Sequence, residues 1–193
     1  MDPAMESVTA AAGTAPAASE PALIERARAG DAAAFEALIA PRLDGLFRTA
    51  WGILGNEADA RDATQEACLS AWRHLPRLRD AGSFDGWLSR VLVNSCRMLL
   101  RKRGRIREIA IGDDHDAPAP TWAEPTTFEE SEAVLRAFDR LDVDARALLV
   151  LHHLQHEPLS RIAASLGIPI GTVKWRLHAA RRALERALEG ERR

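Results

Sequence analysis

The feature that most limits the fold is the segment from Gly104 to Thr127, which has no sustained hydrophobic period. It contains Pro118, Pro120 and Pro125, and three of the four residues from 113 to 116 are aspartates. Proline ends helices, and a loop of this length is uncommon inside a compact domain. Apolar residues recur at helical spacing on both sides of the segment. The chain is therefore predicted to form two helical domains joined by an extended linker.

The predicted domains are a mobile tail over residues 1–20, an N-terminal helical bundle over 21–103, an acidic linker over 104–127 and a C-terminal helical domain over 128–193. The predicted fold class is all-α, because the chain is rich in Ala and Arg, only 5% of its residues are aromatic, and it contains no Tyr. No apolar run approaches the ~18 residues of a membrane span, and no signal peptide is evident. The two cysteines form neither a disulfide framework nor a four-cysteine zinc site. We expect a cytoplasmic protein without membrane insertion, metal or cofactor.

Charge is segregated along the chain although the net charge is only −2. Residues 73–107 contain ten basic and two acidic residues, a balance of +8. Residues 108–132 contain eight acidic residues and no Lys or Arg, and residues 171–193 contain seven basic and three acidic residues. This pattern predicts two surfaces that bind polyanions, separated by an acidic segment.

Residues 159–177 have the spacing of a helix-turn-helix. Ala163 is a small residue where two helices would cross, Gly167 suits the tight turn, and Val173 would hold the second helix on the first. Four further apolar residues complete the predicted core: Ile162, Leu166, Ile168 and Leu177. Asp142 or Asp144 is predicted to cap a supporting helix that precedes this unit.

The second helix of this unit is predicted to be amphipathic. Its apolar face is formed by Ile170, Val173, Leu177, Ala180 and Leu184. Its opposite face is formed by Gly171, Trp175, His178 and Arg182, flanked by Lys174, Arg176 and Arg181. Such a helix fits the major groove of DNA, and a surface helix of an ordinary bundle is the alternative. Trp175 could contact DNA, a partner protein or a neighbouring loop.

His152 and His156 have the spacing of two metal ligands on one helix turn. No third ligand is near in the sequence, so partly buried or surface histidines are the favoured interpretation.

Two patterns mark the N-terminal half. Asp62, Gln65, Glu66 and Leu69 share one face of a predicted helix over 57–74, which suits docking on another pair of helices. Further along, Phe84 and Trp87 precede the basic stretch 97–107, a combination suited to single-stranded DNA. The alternative is that both aromatic residues belong to the core, and for Trp87 this alternative is favoured.

Three segments together resemble the extracytoplasmic-function (ECF) group of bacterial RNA polymerase sigma factors. Residues 59–72 resemble the Asp-Ala-x-Asp-x-x-Gln-Glu-x-Phe-Leu-x-Ala-Trp signature of that group. Residues 82–94 are similar to its Gly-Ser-Phe-x-x-Trp-Leu-x-Arg-x-x-x-Asn segment, and residues 171–181 to its Gly-Thr-Val-Lys-x-Arg-Leu-x-x-Ala-Arg segment. The resemblance covers about residues 22–188, with the three motifs in the expected order.

The resemblance implies a protein that binds core RNA polymerase, recognises promoter DNA and melts the −10 element, with no catalytic residues of its own. It implies core-polymerase contacts for Asp62, Gln65, Glu66 and Leu69. The implied contacts with single-stranded −10 DNA are Arg79, Phe84, Trp87, Arg90, Asn94, Arg97, Arg101, Lys102 and Arg103. The implied contacts with duplex −35 DNA are Arg161, Thr172, Lys174, Trp175, Arg176, His178, Arg181 and Arg182. An anti-sigma factor is a further expected partner.

Two other classes of function compete with this interpretation. A stand-alone helix-turn-helix transcription regulator would explain residues 160–182 but not the acidic face of residues 62–69. A nuclease or recombinase would need clustered carboxylates for metal ions or a nucleophile with a base. The densest acidic group is Asp113, Asp114 and Asp116, and it lies in a segment without a predicted scaffold.

Overall fold

A computed structural model describes residues 19–109 and 128–191, with side chains over 19–103 and 133–190. Within these ranges the chain is helical and has no strand, which confirms the predicted all-α class. Residues 1–18 and 110–127, which include nearly all of the predicted tail and most of the predicted linker, lie outside the described residues. None of the described helices is long and apolar enough to cross a membrane.

Five helices form the N-terminal module: α1 (Glu20–Arg28), α2 (Ala32–Ile39), α3 (Leu43–Leu54), α4 (Glu57–His74) and α5 (Phe84–Ile109). Capping side chains and a glycine set several of their ends. The Asp31 side chain accepts a hydrogen bond from the Ala34 N–H and caps α2, and Asn56 caps α4 through the Asp59 N–H. Gly55 follows α3 with a left-handed φ of 67°.

Two further features lie at the ends of α4 and α5. α5 continues to Ile109, six residues beyond the predicted domain boundary at 103, and no proline interrupts residues 104–109. The stretch from Leu75 to Ser83, which connects α4 to α5, contains two short 3₁₀ turns, Leu75–Arg77 and Ala81–Ser83.

The core of the N-terminal module depends on small residues in α4. Four alanines repeat on its inner face at helical spacing and are fully buried: Ala60, Ala63, Ala67 and Ala71. Short side chains allow α3 and α5 to approach α4 closely, and both helices pack against it. From α5, Phe84, Leu88, Leu92 and Val93 fill the space between the helices.

The C-terminal module contains α6 (Phe128–Asp139), α7 (Val143–Leu149) continued by a π-helical turn (Val150–Leu154), α8 (Leu159–Leu166) and α9 (Ile170–Glu191). The Asp142 side chain accepts a hydrogen bond from the Ala145 N–H at 2.8 Å. The cap of α7 is therefore Asp142 and not Asp144. Gly167 ends α8 with a left-handed φ of 67°, as the tight turn requires.

The helix-turn-helix core follows most of the predicted pattern. Ile162, Val173, Leu177 and Ala180 are buried, whereas Leu166, Ile168 and Leu184 are only half-buried. Ile170 was predicted on the apolar face but is 46% exposed. It is the first residue of α9, where the helix has just left the turn after α8.

The two modules pack against each other, which the sequence did not predict. α5 contacts α8, and α3 contacts both α7 and the π-helical turn. The packing is tight at Gly52 of α3, where an added Cβ atom would lie 3.0 Å from the Val150 Cγ2. The buried apolar residues of both modules consequently form one continuous cluster.

Candidate polymerase and nucleic-acid interfaces

The four residues predicted to bind core polymerase lie together on the outer face of α4. Asp62, Gln65, Glu66 and Leu69 are all exposed, and Leu69 presents an apolar side chain with 43% of its surface accessible. The Glu66 Oε1 lies 3.8 Å from Arg73 Nη1, at the limit of an ion pair, and both side chains are mostly accessible. This face, with carboxylates around one apolar residue, is suited to binding a basic or mixed helical surface.

Asp59, one turn before this face, has a different environment. It is buried, and its carboxylate forms an ion pair with Arg103 of α5. Burial raises the pKa of Asp59, Arg103 opposes that shift, and Asp62 adds to it. Arg103 was predicted to contact DNA, but here it joins α5 to the start of α4.

A cavity of about 440 Å³ lies between the end of α4, the following loop and the first half of α5. Five of the residues that line it were predicted: Glu66, Arg79, Trp87, Arg90 and Asn94. The other residues that line it are Ser70, His74, Arg77, Leu78, Val91, Ser95 and Met98. Arginines, hydroxyls and one indole around a concave surface of this size can hold a flat polar group such as an unstacked base.

The two aromatic residues at the start of α5 have different positions. Trp87 is half-buried at the cavity, with its ring centroid 5.9 Å from that of Phe84. Phe84 is 1% exposed, and the Arg42 guanidinium lies 5.1 Å from its ring centroid. Its ring has no free face for a base, so we remove Phe84 from the predicted DNA contacts. Trp87 keeps an accessible edge.

The cations of the predicted −10 surface fall into two groups. Arg79, Arg101 and Lys102 are exposed. Arg90 and Arg97 are engaged by the C-terminal module instead. Arg90 donates hydrogen bonds to the backbone carbonyls of Ala164 and Ser165, while Arg97 donates to Asp144 at 2.6 Å and to Asn94 at 3.0 Å.

The predicted −35 residues of α9 divide between two sides of the helix. Lys174, His178, Arg181 and Arg182 are exposed and are not among the residues that line the cleft between the modules. Trp175, which is 70% exposed, and Arg176 line a cleft between the modules. Thr172 is half-buried, and Arg161 of α8 is exposed with its Nε 3.3 Å from a Glu157 carboxylate oxygen.

The cleft between the modules has a volume of about 570 Å³. Its two walls carry the arginines Arg97 and Arg101 from α5 and Arg176 and Arg186 from α9. Arg186 was not predicted as a functional residue. Its position four residues after Arg182, on the same side of the helix, could have indicated that it belongs to the same surface. The cleft thus combines residues from both predicted DNA-binding surfaces.

Arg181 also contacts a histidine outside the predicted set. Its Nη2 lies 3.1 Å from His153 Nε2. Partial burial lowers the pKa of His153, and the positive charge of Arg181 lowers it further. The guanidinium can only donate, so Arg181 is the donor and His153 Nε2 the acceptor of this contact. His152 lies beside the Glu157 carbonyl, and within residues 19–109 and 128–191 no three potential metal ligands come together.

Comparison with known proteins identifies the class that these features define. A family model described as sigma-70 region 2 matches residues 38–106, and one described as sigma-70 region 4 matches residues 131–184. The first match covers α3, α4 and most of α5, and the second covers the helix-turn-helix. The chain thus contains a match to sigma-70 region 2 followed by a match to sigma-70 region 4.

Individual relatives narrow the class to one group. SigM of Mycobacterium tuberculosis, an ECF RNA polymerase sigma factor, is 36% identical over 160 residues, which cover 83% of this chain and 80% of SigM. SigE of Mycolicibacterium smegmatis is 33% identical over 162 residues, which cover 80% of this chain and 63% of SigE. The chain belongs to the ECF RNA polymerase sigma factors. It acts in transcription initiation with RNA polymerase and promoter DNA.

Solved structures share the fold. The sigma factor RpoE of Bartonella quintana, crystallised with the anti-sigma factor NepR, has a TM-score of 0.65 and 24% sequence identity, covering 80% of this chain and 96% of RpoE. CnrH, solved with the cytosolic domain of CnrY, has a TM-score of 0.60 and 24% identity, covering 87% of this chain and 96% of CnrH.

Proposed function

We propose that the two modules divide the work of promoter recognition. The N-terminal module binds core polymerase through the outer face of α4 and binds the single-stranded −10 element through the cavity and α5. The C-terminal module binds the duplex −35 element through α8 and α9. One observation carries this proposal: α4 exposes carboxylates around Leu69, while exposed cations line the cavity, α5 and the outer side of α9.

At the −10 element, melting requires that bases leave the stack, which costs a few kcal/mol for each base. The cavity between α4 and α5 offsets this cost by accepting a base against Trp87, with Asn94 and Arg79 within its lining as hydrogen-bond donors. Arg101 and Lys102 extend the cationic surface along α5 and would neutralise the phosphates of the separated strand.

At the −35 element, the first turns of α9 would enter the major groove. His178 is exposed on α9 and can reach base edges, while Lys174, Arg181, Arg182 and Arg161 of α8 are exposed and can reach phosphates. Phosphate contacts fix the position of the helix, and base contacts supply the sequence preference.

The remaining predictions for function are part of the same proposal. The protein acts in the cytoplasm, is held inactive by an anti-sigma factor, and has no catalytic activity of its own. The domain boundaries predicted from the sequence are retained, with the N-terminal domain at 21–103 and the C-terminal domain at 128–193.

Run-off transcription with bacterial core polymerase tests the proposal directly. Adding the purified chain should produce transcripts that start at a defined distance downstream of a shared pair of −35 and −10 sequences. Core polymerase alone is the control. If the chain does not bind core polymerase or redirect its start sites, the proposal is wrong. If it footprints operator DNA tightly without polymerase, the stand-alone regulator is the better explanation.

A further inference from the structure

The contact between Arg181 and His153 lies on the surface that we assign to the −35 element. Arg181 of α9 and His153 of the π-helical turn are both exposed. The guanidinium approaches His153 Nε2 with two nitrogens, Nε at 3.3 Å and Nη2 at 3.1 Å. Two accessible side chains, 28 residues apart in sequence, thus meet beside the helix-turn-helix.

This contact constrains the state of the histidine ring. A guanidinium has only donors, so His153 Nε2 must supply the lone pair. An imidazolium donates from both nitrogens and has no lone pair to offer. The hydrogen bond from Arg181 therefore exists only while His153 is neutral. A proton on Nε2 leaves two cationic groups that face each other.

The immediate surroundings of His153 oppose that proton. Partial burial lowers the pKa of His153, and Arg181, His152 and His156 lower it further. The His152 ring lies edge-on against the His153 ring, with the two centroids 4.8 Å apart. In the free chain, the positive charge beside the ring thus favours its neutral form.

The charged side chains of the neighbouring helices have other partners. α3, α7 and α8 also pack against the π-helical turn, and α3 meets it through a glycine. Asp144 and Arg146 of α7 bind groups on α5 and α3, and Arg161 of α8 pairs with Glu157 at 3.3 Å. Among the described side chains, no carboxylate forms an ion pair with the ring or with the guanidinium beside it. An external anion could therefore stabilise both cations.

We propose that His153 and Arg181 form a phosphate site in the −35 interface that is completed when His153 takes up a proton from solvent. A backbone phosphate of the duplex lies between the guanidinium and the imidazolium and accepts a hydrogen bond from each. Binding of the −35 element then strengthens as the pH falls. This inference rests on the proposed function, since it requires that Arg181 faces the DNA backbone.

The sign of the pH effect follows from linkage. Arg181 opposes protonation of His153 in the free chain, whereas a phosphate beside the ring favours it. The complex with DNA therefore binds this proton more tightly than the free chain does. Affinity rises as the pH falls through the range around the ordinary histidine pKa of about 6.5. One additional phosphate contact also steepens the logarithmic salt dependence by about 0.9.

Fluorescence anisotropy of the full-length chain with a labelled −35 duplex tests the site. Salt series at about pH 8 and about pH 5.5 should show that acidification raises wild-type affinity by up to about tenfold at about 0.1 M salt, with the slope steeper by about 0.9. His153→Gln keeps a polar side chain that does not titrate, so it should lose this gain in affinity and in slope. His153→Lys carries a permanent charge and should have the steeper slope at both pH values.

His156→Gln is the matched control. His156 is an exposed histidine of the following loop, and no described hydrogen bond or ion pair joins it to Arg181. The same substitution there should leave the steeper slope at low pH in place. Thermal unfolding followed by circular dichroism at both pH values shows whether each variant is folded, and His153→Lys decides the question if His153→Gln is not.

The results separate this inference from the proposed function. If the wild-type chain binds the −35 duplex with one salt slope at both pH values, or if His153→Gln steepens as much as the wild type, the protonation-dependent site is refuted and the proposed function stands. Equal losses in His153→Gln and His156→Gln would also overturn the site. If the wild-type chain neither binds the duplex at either pH nor redirects core polymerase, the proposed function fails and this site fails with it.

Discussion

Replacing Arg182 with alanine should weaken binding to −35 duplex DNA and reduce its dependence on salt. Arg182 is exposed on α9, as are Lys174 and Arg181, and none of the three lines the cleft between the modules. With Arg161 of α8, this surface offers four cations to phosphates. The substitution removes one of them and leaves the buried face of α9 unchanged.

The size of the effect follows from counterion release. Four phosphate contacts give a slope of about −3.6 in a plot of the logarithm of the binding constant against that of the salt concentration, and three give about −2.7. Between about 50 and 200 mM salt, the wild-type chain should then lose roughly 150-fold in affinity and the Arg182→Ala variant roughly 40-fold.

Fluorescence anisotropy with a labelled −35 duplex, repeated over a series of salt concentrations, measures both slopes. Arg26→Ala is the control, because it removes the same charge from α1, where Arg26 forms an ion pair with Asp31. The reasoning is refuted if Arg182→Ala leaves the slope unchanged, or if Arg26→Ala reduces it equally.

Three further predictions concern other parts of the chain. Glu66→Lys should reduce binding to core polymerase at least tenfold in a pull-down while leaving the affinity for −35 duplex DNA unchanged. Equal loss of polymerase binding and DNA binding would argue against separate surfaces for the two partners. The pKa of His153 should lie below the ordinary value of 6.5 and rise toward it in Arg181→Ala, as NMR titration would show. Because folding lowers this pKa, the unfolded chain binds the proton more readily, so His153 should make the fold slightly less stable as the pH falls through about 6.5. Burial raises the pKa of the Cys96 thiol to about 12, whereas Cys68 is only half-buried. At neutral pH a thiol-alkylating reagent should therefore modify Cys68 first and reach Cys96 only when the protein unfolds. Equal alkylation rates of the two cysteines in the folded protein would contradict the burial of Cys96.

Much of the local structure could be predicted because its causes are local. α4 has the predicted bounds, since Asn56 caps its start and its apolar period continues to the end. Gly55 ends α3, and the buried face of α9 contains Val173, Leu177 and Ala180 as the helical period requires. The residues predicted to bind core polymerase share one exposed face for the same reason, because the spacing of residues along a helix determines on which side of it each side chain lies.

The sequence alone determined that the chain has two helical modules, that one is a helix-turn-helix, and which residues α4 and α9 expose. Only the tertiary structure decided which of two neighbouring aromatic residues is covered: Phe84 is buried with the Arg42 guanidinium over its ring, whereas Trp87 is half-buried. It also decided that Arg90 and Arg146 reach across to carbonyls of the opposite module, more than 70 residues away in sequence. Caps and periodicity act over a few residues, whereas these contacts depend on how whole helices pack, and no short segment of sequence encodes that packing.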